Sequence, residues 1–149
     1  MKFGEAVDSV LVKNYFNFKG KASRSEYWWF LLFMIISGFA ASLIEIIAVS
    51  ASQGSSFNQE NFYPYFTMLY MAFLFLPALS VSVRRFHDVG RSTNEAITIY
   101  FVQQISGLLV QGLLPLSEPL ISIVWFAFII TGFYTLYITL KKSEMVSNN

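Results

Sequence analysis

The chain has 149 residues, of which 55% are hydrophobic and 18% aromatic, whereas only 13% carry a charged side chain. It contains no cysteine and a single histidine, which excludes disulfide bonds, thiolate metal sites and multi-histidine metal clusters. So apolar a composition in so short a chain excludes an ordinary soluble domain and predicts an integral membrane protein.

The first 22 residues are predicted to be an arm before the first membrane segment. Its apolar side chains recur at helical spacing, at Phe3, Ala6, Val7, Val10 and Leu11. This stripe predicts an amphipathic helix that lies in the cytoplasmic membrane interface. A helix docked on the cytoplasmic end of a helix bundle would show the same stripe, so the sequence leaves both arrangements open.

Four apolar segments follow the arm, over residues 27–49, 62–83, 96–116 and 120–140. At about 1.5 Å per residue, each segment is long enough to cross a hydrocarbon core about 30 Å thick. The segments are apolar on nearly every side, as helices surrounded by lipid and by other helices are. The prediction is an all-α, polytopic membrane protein whose single domain is a four-helix transmembrane bundle of two hairpins, with the N-terminal interfacial helix in front.

Local signals mark where these helices begin and bend. Ser23 and Glu26 have the spacing of a capping box before the first segment, and Ser92 and Glu95 repeat that spacing before the third. Pro77 lies deep in the second segment, where it removes one backbone hydrogen bond and predicts a kink.

The basic residues predict the orientation in the membrane. All ten lysine and arginine residues lie in the three stretches 2–24, 84–91 and 141–142. Residues 50–61 and 115–119, which connect the segments within each hairpin, contain no basic residue. By the positive-inside rule, the three basic stretches face the cytoplasm. The sequence thus predicts a multi-pass membrane protein whose N-terminus and C-terminal tail, 141–149, are both cytoplasmic.

The stretch 84–91 is predicted to be a cytoplasmic loop and to hold the functional site. Guanidinium groups pair bidentately with phosphate and carboxylate oxygens, which favours a lipid headgroup or an acidic partner. Orientation of the hairpin and internal pairing of an aspartate with an arginine are the commoner uses of such charges. The residues predicted to bind lipid or a partner are Arg24, Arg84, Arg85, His87, Asp88 and Arg91.

Three polar residues inside the apolar segments are further candidates. Glu45 is the one charged residue inside a segment, and its position near the outer end favours contact with water over an ion site. Gln104 and Gln111 share one face of the third segment. Such amides commonly bond across a helix interface, whereas a narrow polar path for a solute is the alternative.

Two sequence blocks carry a resemblance to a known family. Residues 15–30 read YFNFKGKASRSEYWWF, and residues 76–79, LPAL, lead into residues 84–92, RRFHDVGRS. With these blocks in this order, the chain resembles the bacterial inner-membrane family known as domain of unknown function 805. The resemblance implies a small, multi-span protein of the cytoplasmic membrane, and it implies no catalytic residue.

For function, the sequence predicts a non-enzymatic scaffold or a subunit that binds lipid or a partner through a basic cytoplasmic face. Membrane lipids with anionic headgroups, a second copy of the chain or another membrane protein are the predicted partners, and nucleic acid is not among them. No cofactor, metal or catalytic constellation is predicted, since His87 beside Asp88 lacks a nucleophile. The alternative is a component of a small-solute or ion transporter or channel, with Glu45, Gln104 and Gln111 along its path.

Overall fold

The computed structural model describes residues 1–54, 64–110 and 116–143, and within these ranges the chain forms helices and no strand. A short helix α1 is followed by one π-helical segment, Ser9–Lys13, and by four longer helices. The helices are α1 (Phe3–Asp8), α2 (Arg24–Gln53), α3 (Tyr65–Asp88), α4 (Thr93–Val110) and α5 (Glu118–Leu140). The predicted all-α fold is confirmed.

Three of the helices, α2, α3 and α5, are long and apolar enough to cross a membrane. Helix α4 has 18 described residues, and its amino-terminal turns carry Asn94 and Glu95, which lower its hydropathy. The outer end of the predicted third segment, residues 111–115, lies outside the described residues, as do residues 55–63. The fourth crossing therefore stays a prediction.

Helix α2 begins at Arg24 and runs to Gln53, so it contains the whole of the predicted segment 27–49. The predicted loop over 84–91 is wrong. Helix α3 begins at Tyr65 and continues to Asp88, so the stretch 84–91 is a helix end for most of its length and not a loop. The helix continues because its arginine side chains find partners inside the fold and do not need water. The chain turns only at Gly90, whose φ of 76° suits glycine.

The predicted helix starts are confirmed at both serines. The Ser23 hydroxyl accepts a hydrogen bond from the Glu26 amide at 3.2 Å, and the Ser92 hydroxyl accepts one from the Glu95 amide at 3.2 Å. Each bond satisfies one of the backbone N–H groups that a helix leaves free at its first turn. The Glu26 carboxylate, however, does not complete the capping box and bonds elsewhere.

The arm docks on the bundle, which is one of the two arrangements that its apolar stripe allowed, and its place in the membrane interface stays a prediction. Ala6 and Val10 are fully buried, and Val10 belongs to a buried cluster with Ala22, Phe30, Ala78 and Val81. These residues join the arm to α2 and α3. A second cluster joins α3, α4 and α5 through Leu79, Val83, Phe86, Val89, Ala96 and Ile138.

The outside of the bundle is apolar. The arm leaves Val12 and Phe16 exposed at 73% and 65%. Large apolar side chains are also exposed along α2, α3 and α5, among them Ile47, Leu69 and Phe133. A soluble protein rarely exposes so much contiguous apolar surface, whereas lipid tails cover such surface without cost.

Pro77 sits inside α3, and the arm compensates for the hydrogen bond that it removes. Without an N–H at Pro77, the carbonyl of Phe73 has no partner in its own helix. The Tyr15 hydroxyl donates a hydrogen bond to this carbonyl at 2.6 Å, and the Tyr15 and Phe73 rings lie 5.2 Å apart. Backbone groups freed by proline inside a membrane helix need such a partner.

The contact between Tyr15 and the freed carbonyl is testable by a double-mutant cycle. Tyr15→Phe is expected to lower the free energy of unfolding by about 0.5–1.5 kcal/mol, the net value of one hydrogen bond. In a Pro77→Ala background the helix regains its own amide donor, so the same change is expected to cost much less. Unfolding in mixed detergent micelles measures both values, and equal costs in the two backgrounds would contradict this account.

Candidate functional site

The amino-terminal ends of α2 and α4 and the carboxyl-terminal ends of α3 and α5 lie at the same end of the bundle, here called the basic end. The six cations outside the arm lie at this end: Arg24, Arg84, Arg85, Arg91, Lys141 and Lys142. Five side chains at the basic end form the polar cluster: Glu26, Arg84, Arg85, His87 and Asp88. The last turns of α3 supply all of them except Glu26.

Arg84 and Glu26 form a buried ion pair. Arg84 Nη1 lies 2.9 Å from Glu26 Oε1, and the two side chains are only 4% and 5% exposed. The Ser9 hydroxyl donates to the same carboxylate oxygen at 2.9 Å, and the Ala22 amide donates to the Arg84 carbonyl at 3.0 Å. These bonds tie the arm, α2 and α3 together at one point.

Arg85, the next residue, points to the other side of α3. Its Nη1 pairs with Asp88, and its side chain is fully buried. Its Nη2 donates to the carbonyls of Thr139, at 3.1 Å, and of Lys141. The last carbonyls of a helix have no partner in their own helix, so a guanidinium placed there satisfies them and complements the helix dipole. Ser143 also bonds to Asp88, which draws the chain after α5 into the cluster.

His87 joins two loops. Its Nε2 lies 2.8 Å from the Thr93 hydroxyl, and its Nδ1 lies 3.2 Å from the Gly20 carbonyl. Nδ1 is the donor in its contact with Gly20, because a carbonyl only accepts, whereas the Thr93 hydroxyl can donate or accept. Asp88 bonds to Arg85 and Ser143, and none of the hydrogen bonds in the described ranges joins it to His87.

The structure thus divides the six residues predicted to bind lipid or a partner. Arg84, Arg85 and Asp88 are buried, and His87 is half-buried between its two partners. Arg24 and Arg91 are exposed, and Arg91 Nη1 lies 3.8 Å from Glu95. The sequence analysis missed Glu26 as the partner of Arg84. A signal was available, because Glu26 lies just before the first apolar segment and so at the same end of the predicted bundle as the arginines.

Glu45 caps a neighbouring helix. Its two carboxylate oxygens accept hydrogen bonds from the amides of Phe66 and Thr67 at 2.7 and 2.9 Å. These amides lie in the first turn of α3, where backbone N–H groups are free and the helix dipole favours a negative charge. The predicted contact with water is a point of difference, because Glu45 is only 8% exposed and both of its oxygens bond to α3.

Replacing Glu45 tests this role. Glu45→Leu leaves the amides of Phe66 and Thr67 without an acceptor, and we expect a loss of about 2–4 kcal/mol of unfolding free energy. Glu45→Gln keeps one acceptor oxygen and is expected to cost about half as much. Unfolding in mixed micelles compares the two variants. A leucine variant as stable as the parent would contradict the capping role.

The amides of α4 lie beside a cavity. Gln104 lines a space of about 160 Å³ between α2, α3, α4 and α5. Gln103, which the sequence analysis did not single out, lines it too and accepts a hydrogen bond from the Thr135 hydroxyl at 3.3 Å. Gln111 lies outside the described residues. Of the three predicted intramembrane residues, only Gln104 therefore borders an internal space in the described part of the chain.

Comparison with known proteins shows the family. The family described as "Protein of unknown function (DUF805)" matches residues 15–148. The chain belongs to the DUF805 family. It is 38% identical over 98 residues to Inner membrane protein YhaI of Escherichia coli K12, a match that covers 66% of this chain and 73% of that protein. It is 35% identical over 83 residues to Inner membrane protein YhaH of the same strain, covering 55% of this chain and 62% of that protein. No solved structure matched the chain.

In this DUF805 protein the two sequence blocks that suggested the family meet in space. Ala22 bonds to the backbone of Arg84, Glu26 bonds to its side chain, and Gly20 contacts His87. Glu26 and Arg84 are 58 residues apart in the chain. The two blocks that carry the family resemblance therefore contact each other at the polar cluster. With apolar helices and relatives named as inner membrane proteins, this DUF805 chain is a membrane protein.

Proposed function

We propose that this DUF805 protein crosses the inner membrane four times and keeps both termini in the cytoplasm. The distribution of cations supports this topology, because the six basic residues outside the arm lie at one end of the bundle. Helix α4 runs between α3 and α5, both of which are long enough to cross the membrane. A crossing by α4 returns the chain to the outer side before α5 begins.

Single cysteines test the topology, since the chain has none of its own. In intact cells an impermeant thiol reagent is expected to label Gln53→Cys and Ser117→Cys. Asn94→Cys and Lys142→Cys are expected to react only after the membrane is permeabilised. Asn94 lies in the first turn of α4 and Ser117 follows the helix, so equal labelling of these two positions would show that α4 does not cross.

We propose further that the protein is not an enzyme and that its basic end binds anionic lipid. The observation that carries this proposal is the set of exposed cations around the buried polar cluster: Lys19, Lys21, Arg24, Arg91 and Lys142. Exposed apolar side chains at Val12 and Phe16 lie on the same arm. Lysine and arginine beside apolar side chains are typical of a surface that meets anionic headgroups, and each cation contributes about 1 kcal/mol there.

The buried arginines position the exposed cations and do not themselves contact headgroups. Arg84 and Arg85 satisfy their charges within the protein, so headgroups meet the exposed residues and not these two. By joining the arm to α2 and α3, the pair of Arg84 with Glu26 holds Lys19, Lys21 and Arg24 at one end of the bundle. We therefore propose that Arg24 and Arg91 contact lipid directly and that Arg84, Arg85, His87 and Asp88 position them.

Lipid analysis after purification tests the proposal. The protein is extracted in mild detergent, and the ratio of phosphatidylglycerol to phosphatidylethanolamine bound to it is measured by mass spectrometry. A triple variant with Lys19→Ser, Lys21→Ser and Arg24→Ser is expected to lose the enrichment in phosphatidylglycerol. Lys19→Arg with Lys21→Arg is the control that keeps the charge and is expected to keep the enrichment. An unchanged ratio in the triple variant would reject the proposal.

A further inference from the structure

The cavity beside α4 is polar but carries no charge. Its volume is about 160 Å³, and its apolar walls come from α2, α3 and α4, whereas α5 contributes Thr135. Its polar lining consists of Tyr27, Ser82, Tyr100, Gln103, Gln104 and Thr135. A charged ligand group would lose its hydration here without meeting an opposite charge, which is strongly unfavourable. The lining therefore selects an uncharged group.

Gln104 is the lining residue whose position needs an explanation. It is exposed at the bundle surface and lines the cavity, and its side-chain amide makes no hydrogen bond with any residue of the described ranges. It lies eleven residues beyond Thr93, the first residue of α4, which is about 16 Å along a helix axis. In the four-span topology proposed above, this depth is near the middle of a hydrocarbon core about 30 Å thick. A carboxamide without a partner is unfavourable there.

The cavity meets the bundle surface at Gln104. Leu31 and Met34 of α2 and Gln104 of α4 line the same cavity. The two helices make no close backbone contact in the described part of the chain, so the cavity fills a gap between their backbones. Because Gln104 is exposed, its amide is accessible from outside the bundle as well as from the cavity.

We propose that the cavity binds the head of an uncharged lipid that enters from the bilayer between α2 and α4. An oxygen of the head accepts a hydrogen bond from the Gln104 amide, and the tail stays among the lipid chains. A cavity of about 150 Å³ holds a molecule as large as benzene, so a small ring or a glycerol fits this space. Isoprenoid quinones and diacylglycerol share this chemistry: a small uncharged head with hydrogen-bonding oxygens on a long tail.

Photolabelling tests the site and distinguishes an isoprenoid quinone from a diacylglycerol as the bound lipid. The full chain in nanodiscs is irradiated with a diazirine-bearing isoprenoid quinone or, in a second arm, a diazirine-bearing diacylglycerol. A diazirine-bearing phosphatidylglycerol is the charged comparison. Labelled residues are mapped by mass spectrometry. We expect one of the uncharged probes to label the residues around Leu31, Met34, Tyr100 and Gln104 in a saturable manner, at least fivefold above the phosphatidylglycerol probe.

Two matched pairs of variants make the test specific. Gln104→Leu removes the amide, and Leu31→Trp fills the gap; both are expected to lower the saturable labelling at least fivefold. Thr98→Leu, on the same helix, and Leu32→Trp, on the same turn of α2, are exposed positions outside the cavity and are expected to leave labelling unchanged.

The outcomes of this test and of the topology test are distinct. Labelling by the quinone alone or by the diacylglycerol alone identifies the source of the head group. Equal labelling of cavity and control positions, or no effect of Gln104→Leu and Leu31→Trp, would overturn the inference. If Asn94 and Ser117 label on opposite sides of the membrane but no probe enters the cavity, the topology stands and the lipid site alone is rejected.

Discussion

Glu26→Ala is expected to lower the free energy of unfolding by about 3–5 kcal/mol, because it leaves the Arg84 guanidinium buried without an opposite charge. Within the described ranges, Arg84 Nε and Nη2 have no hydrogen-bond partner, so Glu26 is the acceptor on which this side chain depends. The same change removes the acceptor of the Ser9 hydroxyl. Unfolding in mixed detergent micelles measures the loss.

Two further variants show whether the loss of stability comes from breaking the buried pair or from removing any charged side chain. Replacing both partners, Glu26→Leu with Arg84→Met, removes the unpaired charge and is expected to recover most of the stability. Arg91→Ala breaks an exposed contact of 3.8 Å with Glu95 and is expected to cost less than about 1 kcal/mol. If Glu26→Ala costs no more than Arg91→Ala, the buried pair does not hold the arm to the bundle.

Arg85→Ala is expected to have an effect of similar size, about 3–5 kcal/mol, because Asp88 then stays buried without its cation. The carbonyls at the end of α5 lose their donor at the same time. The end of α5 should therefore loosen. In a Lys142→Cys background with the membrane permeabilised, the rate of thiol labelling is expected to rise in the Arg85→Ala variant.

Arg85→Lys is the informative companion variant. Lysine keeps the charge but presents a single ammonium group, which cannot bond to Asp88 and to two separate carbonyls in the planar geometry of a guanidinium. We expect a partial loss of stability and a partial rise in labelling at position 142. Full retention of both in Arg85→Lys would show that the charge alone matters and that the carbonyl contacts do not.

The two adjacent arginines each join α3 to a different part of the bundle. Arg84 reaches α2 and the arm through Glu26, whereas Arg85 reaches α5 through its last carbonyls. Neighbouring residues on a helix point about 100° apart, so a pair of arginines at one helix end contacts two different elements. A buried ion pair contributes little net stability compared with apolar packing, but it disfavours arrangements in which its charges lose their partners. Hence we expect these contacts to specify which helices meet at the basic end.

Features that depend on neighbours in the chain were predictable from the sequence. Length and apolarity predicted α2, α3 and α5, because a helix that contacts lipid must be apolar along its whole length. The serine caps at Ser23 and Ser92 form with amides three residues away, so spacing alone suffices to predict them. The turn at Gly90 follows from the freedom of glycine at positive φ.

The partners of the charged residues were not predictable in this way. Glu26 has capping-box spacing to Ser23, yet its carboxylate bonds to Arg84, 58 residues away. A loop over 84–91 was predicted because arginines usually seek water; burial against Glu26 and the end of α5 made helix more favourable. Glu45 likewise carries no local sign that it caps α3.

The sequence by itself determined that this protein is built from apolar helices with its cations gathered at one end, since hydropathy and charge placement are properties of short segments. Only the tertiary structure decided which of those cations are buried and paired, where the arm lies, and which amide of α4 borders the cavity. The reason is physical: the cost of burying a charge or an amide depends on the partner brought to it, and the partners here come from distant parts of the chain.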